Sequence, residues 1–212
     1  MDATDLRDVL LGEGIARRVV DAVVSVPRDR FVPGGMVVSA WADHAMPIGH
    51  GQTISQPTVV AVMTEAAAVG PGDVVLDVGT GSGYQAAVLA ACGAEVHSIE
   101  RIPQLAARAR PLLAELGYDV DVTVGDGTAG LPEHAPYDAI VVAAATPTVP
   151  EPLLDQLRAP DGDRRGGRLV IPVGGQAWFG SQELVLIERG ADGLRRRKLL
   201  DVVFVPLVPG RP

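Results

Sequence analysis

The stretch from Val74 to Tyr84 constrains the fold of this chain more than any other. It begins with a run of strand-forming apolar residues and continues with glycines at alternate positions, 79, 81 and 83. An Ala- and Leu-rich segment follows and predicts a helix. A strand that turns through glycines into a helix lets a ligand approach bare backbone at the helix N-terminus. The sequence therefore predicts a ligand site at this turn of an α/β fold.

The residues around the turn indicate which ligand it accepts. The dinucleotide fingerprint has its third glycine one position later than Gly83, where this chain has Tyr84. Asp77 stands just before the turn, where it would repel a pyrophosphate. Both residues disfavour a nicotinamide-dependent oxidoreductase, the alternative from another class, and favour a ligand with a cationic or amine group. An acidic residue followed by alternate glycines resembles motif I of the S-adenosylmethionine-dependent methyltransferases. An ordinary glycine-rich turn is the structural alternative.

Strands are expected to alternate with helices through the middle of the chain, and strands alone are expected at its end. The expected helices cover 4–25 (split near Gly12 and Gly14), 58–69, 84–91, 104–116 and 150–157. Thr4 is the expected cap of the first helix, and Pro111 should kink or divide the fourth. Further strands are expected at 94–99, 120–124, 137–142, 166–173, and as an antiparallel pair at 182–188 and 198–205.

This order predicts an α/β fold: a doubly wound, mostly parallel Rossmann-like sheet with an antiparallel C-terminal edge, as in class I S-adenosylmethionine-dependent methyltransferases. A single domain over 1–212 is expected. Within it, 1–57 would supply N-terminal helices and an active-site loop, 58–175 the cofactor-binding core, and 176–212 the C-terminal antiparallel strands.

Composition excludes several classes of function. A formal net charge of −8 argues against a nucleic-acid partner, which needs clustered Lys and Arg. Cys92 is the only cysteine, so no internal disulfide and no cysteine-based zinc site is expected. The four histidines lack metal-ligand spacing, so no metal site is predicted. With no signal-peptide pattern and no long apolar run, we expect a cytoplasmic protein without a membrane partner, and a monomer.

Two further acidic residues follow predicted strands. Glu100 lies 21 positions after Gly79, close to the offset at which an acidic side chain accepts hydrogen bonds from ribose hydroxyls. Asp126 stands between Gly125 and Gly127 after the next strand, where its carboxylate could accept the exocyclic amine of an adenine; a plain β-turn is the alternative. Because ligands bind at the carboxyl ends of strands in open α/β sheets, these acids predict a pocket for an adenosine with a charged amino-acid tail.

The segment 47–57 is unusual for a linker, because it combines glycines, prolines, hydroxyls and amides in eleven residues. Such a loop can direct several backbone N–H groups and the Ser55 hydroxyl to one point. A carboxylate acceptor is already ionised at neutral pH and needs no general base, so a loop of this kind would only have to hold it in line. The structural alternative is that Ser55 caps the next helix, near Pro57.

Several strings extend the resemblance to one family, the protein-L-isoaspartate O-methyltransferases. They are Thr53-Ile54-Ser55-Gln56-Pro57 with the residues from Pro47 before it, the block 26–33, the stretch 77–90, and the segments 98–103, 125–127, 168–174 and 204–207. The resemblance covers nearly the whole chain, and the Thr-Ile-Ser-Gln-Pro element is specific to the family. The chain departs from the pattern at 160–166 and 176–181, which look like small insertions.

The resemblance implies transfer of a methyl group from S-adenosyl-L-methionine to the α-carboxylate of L-isoaspartyl residues in damaged proteins, which begins repair through a succinimide. It implies Ser55 as the active-site serine. It implies cofactor contacts at Gln52, Thr53, Ile54, Ser55, Asp77, Val78, Gly79, Thr80, Gly81, Glu100, Arg101, Asp126 and Gly127. Substrate contacts would come from His50, Ser55, Val205 and Leu207. Two alternatives remain: an O-methyltransferase acting on an aspartate of a ribosomally made peptide, and a binding module without catalysis.

Overall fold

The computed structural model describes residues 1–175 and 181–210. Its α-helices are α1 (Ala3–Gly12), α2 (Arg17–Ser25), α3 (Pro57–Ala67), α4 (Tyr84–Ala91), α5 (Pro103–Glu115) and α6 (Glu151–Asp155). Its strands are β1 (Met46–Gly49), β2 (Gln52–Ile54), β3 (Val74–Val78), β4 (Glu95–Glu100), β5 (Val120–Val124), β6 (Ala139–Val142), β7 (Arg168–Gly174), β8 (Gln182–Gly190) and β9 (Gly193–Val202).

The central sheet has seven strands in the order β5-β4-β3-β6-β7-β8-β9. The first five are parallel to one another, and β8 and β9 are antiparallel to their neighbours. From β3 the chain winds outward through β4 and β5, then returns to β6 on the other side of β3. A crevice forms at such a reversal point, between the ends of β3 and β6. The doubly wound sheet with an antiparallel edge is confirmed.

Both faces of the sheet are covered, as a parallel sheet requires. Val75 points to the face packed by α3 and α4, whereas its neighbour Leu76 points to the opposite face, where Leu153 and Leu157 lie. This alternation with two apolar sides explains why β3 is an almost continuous apolar run. The side chains of Val75 and Leu76 are fully buried.

The N-terminal helices differ from the prediction in their cap. Asp2, not Thr4, caps α1. The Asp2 side chain accepts from the backbone N–H groups of Thr4 and Asp5, and the Asp5 side chain accepts from the backbone N–H of Asp2. A carboxylate two residues earlier reaches both free amides, a reciprocal arrangement that the Thr4 hydroxyl cannot make. The predicted break between α1 and α2 is confirmed, with Gly14 at φ +81°.

Pro111 does not divide α5, so that part of the prediction was wrong. The helix runs from Pro103 to Glu115 with Pro111 inside it. Pro111 and Ala107, whose carbonyl loses its intrahelical donor, are both exposed, so water can bond to that carbonyl. The cost of the proline is therefore small enough for the buried face of α5 to offset.

The C-terminal strands form the predicted antiparallel pair, shifted toward the turn: β9 ends at Val202, and residues 203–205 lie outside it. The side chains of Arg195 to Lys198 are exposed on β9, which is the last strand of the sheet. Of the segment 176–181, only Ser181 lies within the described residues. No helix in the described part of the chain combines the length and apolar character that a bilayer crossing needs.

Candidate active site

A cleft of about 890 Å³, including its open mouth, lies at the carboxyl ends of β3 and β4. The structure brings most of the predicted cofactor residues into its lining, namely Gln52, Thr53, Ile54, Ser55, Val78, Gly79, Thr80, Gly81, Glu100, Arg101 and Gly127. Of the predicted substrate residues, Ser55, Val205 and Leu207 line it. Asp77, Asp126 and His50 do not.

The glycine turn takes the shape that its sequence predicts. Gly79, Gly81 and Gly83 have φ values of +95°, +54° and +93°, which disfavour residues with a Cβ. The Gly79 N–H donates to the Ile99 carbonyl at 2.8 Å and ties the turn to β4. The turn therefore leaves backbone beside the N-terminus of α4 open to a ligand.

Asp77 lies beneath the turn and is fully buried. Ser98 Oγ donates to Asp77 Oδ2 at 2.7 Å, and Ser98 Oγ is also 2.6 Å from Thr80 Oγ1. Within residues 1–175 and 181–210, Asp77 Oδ1 has no hydrogen-bond partner. Burial raises the pKa of Asp77 to about 7, with the bond from Ser98 opposing this and the charge of Glu100 adding to it. A cationic or amine-bearing group that reached this carboxyl would favour its ionised form.

Glu100 lies at the end of β4 with its carboxylate in the cleft wall. Its Oε2 accepts from the Gly81 N–H at 2.7 Å and its Oε1 from the Ile102 N–H at 2.8 Å. The carboxylate thus fixes both the glycine turn and the start of the next connection. Each oxygen keeps a further lone pair, which a ligand hydroxyl can use.

Asp126 lies outside the cleft lining, and its predicted contact with an adenine amine stays a prediction. Its Oδ1 accepts from the backbone and hydroxyl of Thr128, and its Oδ2 accepts from the Gly210 N–H at 2.6 Å. Burial acts to raise the pKa of Asp126, but these hydrogen bonds outweigh it and lower the pKa. Its neighbour Gly127 does line the cleft, where a Cβ would come 2.5 Å from Val78 Cγ1. In this structure Asp126 anchors the C-terminal segment, and the backbone beside it contributes the cleft wall.

The loop that carries Ser55 follows a small hairpin of β1 and β2. His50 sits at its tip with φ +54°, exposed and outside the cleft lining. Geometry explains the difference from the prediction, because the hairpin turns His50 outward while β2 leads Thr53 and Ser55 into the cleft. None of the four histidines of the described chain lines the cleft, so it offers no imidazole as a general base.

Arg28 holds the serine loop from behind and was missed as a site residue in the sequence. Its side chain is fully buried, with Nη2 donating to the Ser55 carbonyl at 2.7 Å and Nε donating to the Ala40 carbonyl at 2.8 Å. The guanidinium carbon lies 4.7 Å from the centre of the Tyr84 ring, within cation–π range. Burial lowers the pKa of Arg28, and Tyr84 opposes that shift. One buried cation therefore links the Ser55 loop to the first residue of α4.

Asp43, not Ser55, caps α3. Its Oδ1 accepts from the Thr58 N–H at 2.8 Å, and its Oδ2 accepts from Thr58 Oγ1 and Gln56 Nε2. The structural alternative, in which Ser55 caps the helix, does not hold, because Asp43 reaches the free amide from another segment. Within the described chain the Ser55 hydroxyl makes no hydrogen bond, and it faces the cleft.

The outer side of the cleft is formed by the C-terminal segment. Val205 and Leu207 line the cleft and also an adjoining apolar depression that Thr53 shares. The segment is fixed by backbone hydrogen bonds: Ala145 N–H donates to the Val205 carbonyl and Leu207 N–H to the Ala145 carbonyl. Thr53 and Ser55 thus stand between the glycine turn on one side and residues 203–208 on the other.

Other lining residues carried a weaker signal in the sequence. Ala143 and Ala144, two small residues that follow β6, form part of the cleft floor. Gln85 was missed: its Nε2 donates to Thr64 Oγ1 at 3.0 Å, so it joins α4 to α3 at the cleft. A polar residue in an Ala-rich helix is the only signal that could have pointed to it.

Comparison with known proteins shows the family of this chain. The chain matches the family model "Protein-L-isoaspartate(D-aspartate) O-methyltransferase (PCMT)" over residues 3–211. It is 51% identical to the protein-L-isoaspartate O-methyltransferase of Roseiflexus castenholzii, covering 99% of this chain and 95% of that one. It is 50% identical to the enzyme of the same name from Gloeobacter violaceus, with 93% of each chain covered.

Solved structures agree. A protein-L-isoaspartate O-methyltransferase superposes with a TM-score of 0.83 at 27% identity, over 96% of this chain and 65% of that one. A Plasmodium falciparum structure assigned to the PCMT class, in complex with S-adenosyl-L-homocysteine, gives a TM-score of 0.82 at 25% identity, over 98% and 99% of the two chains. The chain belongs to the protein-L-isoaspartate(D-aspartate) O-methyltransferase family.

Proposed function

We propose that this protein transfers a methyl group from S-adenosyl-L-methionine to the α-carboxylate of L-isoaspartyl residues in damaged proteins. The observation that carries the proposal is the position of Ser55. It lines both the cleft at the glycine turn and a neighbouring depression that Thr58, Val59 and residues 200–204 also line. A donor held at the turn and a peptide held outside would meet at this residue.

The inner half of the cleft fits the cofactor. Asp77 Oδ1 is a buried acceptor without a partner among the described residues, and Glu100 presents lone pairs beside the backbone of Gly79 to Gly81. The close approach of Gly127 to Val78 Cγ1 leaves no room for a side chain at this position of the cleft wall. S-adenosyl-L-methionine, when bound, supplies a methyl group on a positively charged sulfur. Asp77, Glu100 and the turn would hold its amino-acid and ribose parts.

The outer half suits an acceptor that is already a nucleophile. A peptide carboxylate has a pKa near 4 and is ionised at neutral pH, so its oxygen can attack without losing a proton. Positioning then accounts for the catalysis, with partial removal of water from the carboxylate. The free hydroxyl of Ser55 can donate to one carboxylate oxygen and leave the other directed at the methyl group. Arg28 keeps the Ser55 backbone in place.

The methyl ester that forms would close spontaneously to a succinimide as the backbone amide nitrogen attacks it and methanol leaves, and part of the succinimide hydrolyses to normal aspartate. The proposed partners are therefore proteins and peptides that contain isoaspartyl residues. A cytoplasmic location, a monomeric state, and the absence of nucleic-acid and membrane partners stay predictions.

The test is transfer of radiolabelled methyl groups to a peptide containing L-isoaspartate, with the same peptide containing L-aspartate as control. We expect label only in the isoaspartyl peptide. We expect Ser55→Ala to lower kcat by about 10²-fold, the usual loss for one positioned donor, with unchanged affinity for S-adenosyl-L-homocysteine. Ser39→Ala, an exposed serine away from the cleft, is the matched control. Equal labelling of both peptides would contradict the substrate, and unaltered turnover in Ser55→Ala would contradict the role of Ser55.

A further inference from the structure

A cluster of metal-ligating side chains lies outside the cleft, at the beginnings of β4 and β5. His97 is the third residue of β4 and pairs in register with Asp121 of β5, while His134 comes from a short 3₁₀ turn at Pro132–His134. One ligating atom from each of the three residues lies within 4.8 Å of the others. None of the three lines the cofactor cleft.

The spacing of these atoms is close to that of a metal centre. His97 Nδ1 is 3.7 Å and His134 Nε2 is 3.8 Å from Asp121 Oδ2. An ion held about 2.0–2.2 Å from each ligand in a tetrahedral arrangement keeps the ligands roughly 3.3–3.6 Å apart. Both measured separations from Asp121 lie within a few tenths of an ångström of this range.

His97 gives the second, independent observation. Its side chain is about nine-tenths buried, and its Nδ1 makes no hydrogen bond to any residue the structure describes. Its other ring nitrogen, Nε2, faces Glu95 Oε1 at 3.4 Å. A proton on Nε2 leaves the lone pair on Nδ1 in the plane of the ring, available to an ion beside Asp121. A carboxylate behind a ligating histidine is the arrangement that fixes the ring and raises its basicity in metal sites.

We propose that His97, Asp121 and His134 bind one divalent transition-metal ion of the zinc class. Two imidazoles and one carboxylate suit Zn²⁺, Co²⁺ or Ni²⁺, whereas Mg²⁺ and Ca²⁺ require oxygen ligands. The Asp121 side chain is 59% exposed, so solvent can complete the coordination. This departs from the expectation of no metal site, which rested on spacing along the chain.

Binding requires one movement. The rings of His97 and His134 are stacked at 3.8 Å between centroids and 19° between planes, whereas a metal lies in the plane of each imidazole it binds. His97 is held by its strand and by the edge of the Tyr137 ring, so His134 must turn. Its side chain is one-third exposed and sits on a three-residue turn, which leaves room for this rotation.

The experiment is calorimetric titration of Zn²⁺ into the full-length protein after treatment with a chelator. We expect one equivalent to bind, Mg²⁺ to give no binding, and the Tm to rise with Zn²⁺ because the ion binds the folded state. Asp121→Asn and His134→Gln should each weaken Zn²⁺ binding at least tenfold. His44→Gln, on a segment away from the cluster, should leave it unchanged. The Tm of each variant without metal shows that it is folded.

Co²⁺ provides a spectroscopic check, because its visible absorption reports nitrogen and oxygen coordination in a folded site. We expect the Co²⁺ spectrum of the parent protein to be lost in Asp121→Asn. Either no Zn²⁺ binding by the parent, or equal affinity in the parent and both ligand variants, would overturn the proposal. Methyl transfer is not needed as a readout, so failure here leaves the proposed enzymatic function standing.

Discussion

Asp77 and Asp138 are two buried acids of the same sheet, at opposite ends of neighbouring strands, and their surroundings differ. Asp138, just before β6, accepts hydrogen bonds from Arg158, Arg164 and the backbone of Val74. Asp77, near the end of β3, has one bond from Ser98 and one oxygen without a partner among the described residues.

The environments shift the two carboxyls in opposite directions. Burial alone would raise the pKa of both. At Asp138 the bonds and charges of Arg158 and Arg164 outweigh burial and lower the pKa, whereas at Asp77 burial dominates and the pKa reaches about 7. At the amino end of β6, the charge of Asp138 is therefore compensated by arginines of the protein itself. At the carboxyl end of β3, Asp77 keeps an acceptor oxygen for a ligand.

The largest effect is expected at Arg28, the buried cation on the cleft side of the molecule. Arg28 donates to backbone carbonyls of the Ser55 loop and of Ala40 and not to a carboxylate. Arg28→Met would leave the Ala40 and Ser55 carbonyls without their donor, at about 1–3 kcal/mol each, so we expect the unfolding free energy to fall by roughly 2–6 kcal/mol. Arg30→Met, in the same turn, removes only an exposed pair with Glu115 and should leave the unfolding free energy almost unchanged. Denaturant unfolding measures both, and similar losses would show that Arg28 is no more than a surface charge.

The next effect contrasts the acids directly. The pKa of Asp77 is higher in the folded protein, about 7, than in the unfolded chain. The stability that this gives is fully present below about pH 4, and it is lost as the pH rises through about 7. In Asp77→Asn without cofactor, the unfolding free energy should therefore fall less between pH 4 and 8 than in the parent, by on the order of 2–4 kcal/mol.

Asp138→Asn is the control for this measurement and has the opposite sign. The lowered pKa of Asp138 supplies stability above its unfolded value that is lost as pH falls, so its removal should flatten the acid side of the profile. If both variants changed the pH dependence in the same direction, the contrast between the two ends of the sheet would be wrong.

The smallest effect is expected on cofactor affinity, which should differ between substitutions of acids at the two ends of the sheet. Glu100→Gln replaces one acceptor oxygen by an amide that cannot accept from Gly81 or Ile102. We expect affinity for S-adenosyl-L-homocysteine, measured by calorimetry, to weaken by about 1–3 kcal/mol. Asp138→Asn, a buried acid at the other end of the sheet, should bind as the parent does. Unchanged affinity in Glu100→Gln would refute its contact with the cofactor.

Much of the fold was readable from the sequence because its signals are local. The limits of α4 and β5 were predicted to the residue, since each apolar run is bounded by glycine or turn residues. The predicted cleft position followed from Asp77, Glu100 and Asp126 at or near the ends of successive strands, and of these three acids Glu100 lines the cleft. Topology alone then places these ends at one edge of the sheet.

The supports of the site could not be predicted in this way. Arg28 reaches Ser55 across 27 positions, Asp43 reaches Thr58 across 15, and Asp126 reaches Gly210 across 84. These are single side-chain hydrogen bonds without any periodic pattern. The cluster of His97 and His134 was hidden for the same reason, because its members come from different elements.

The exposed cations of β9 have a consequence for the molecule in a crowded solution. In the part of the chain that the structure describes, β9 is paired on one side only, by β8. An open edge of this kind offers unpaired amides and carbonyls to any foreign β-strand. The side chains of Arg195 to Lys198 stand along it, and three of them form exposed ion pairs with Asp192, Glu183 and Asp201. Charged side chains along an edge strand disfavour edge-to-edge pairing with a second copy.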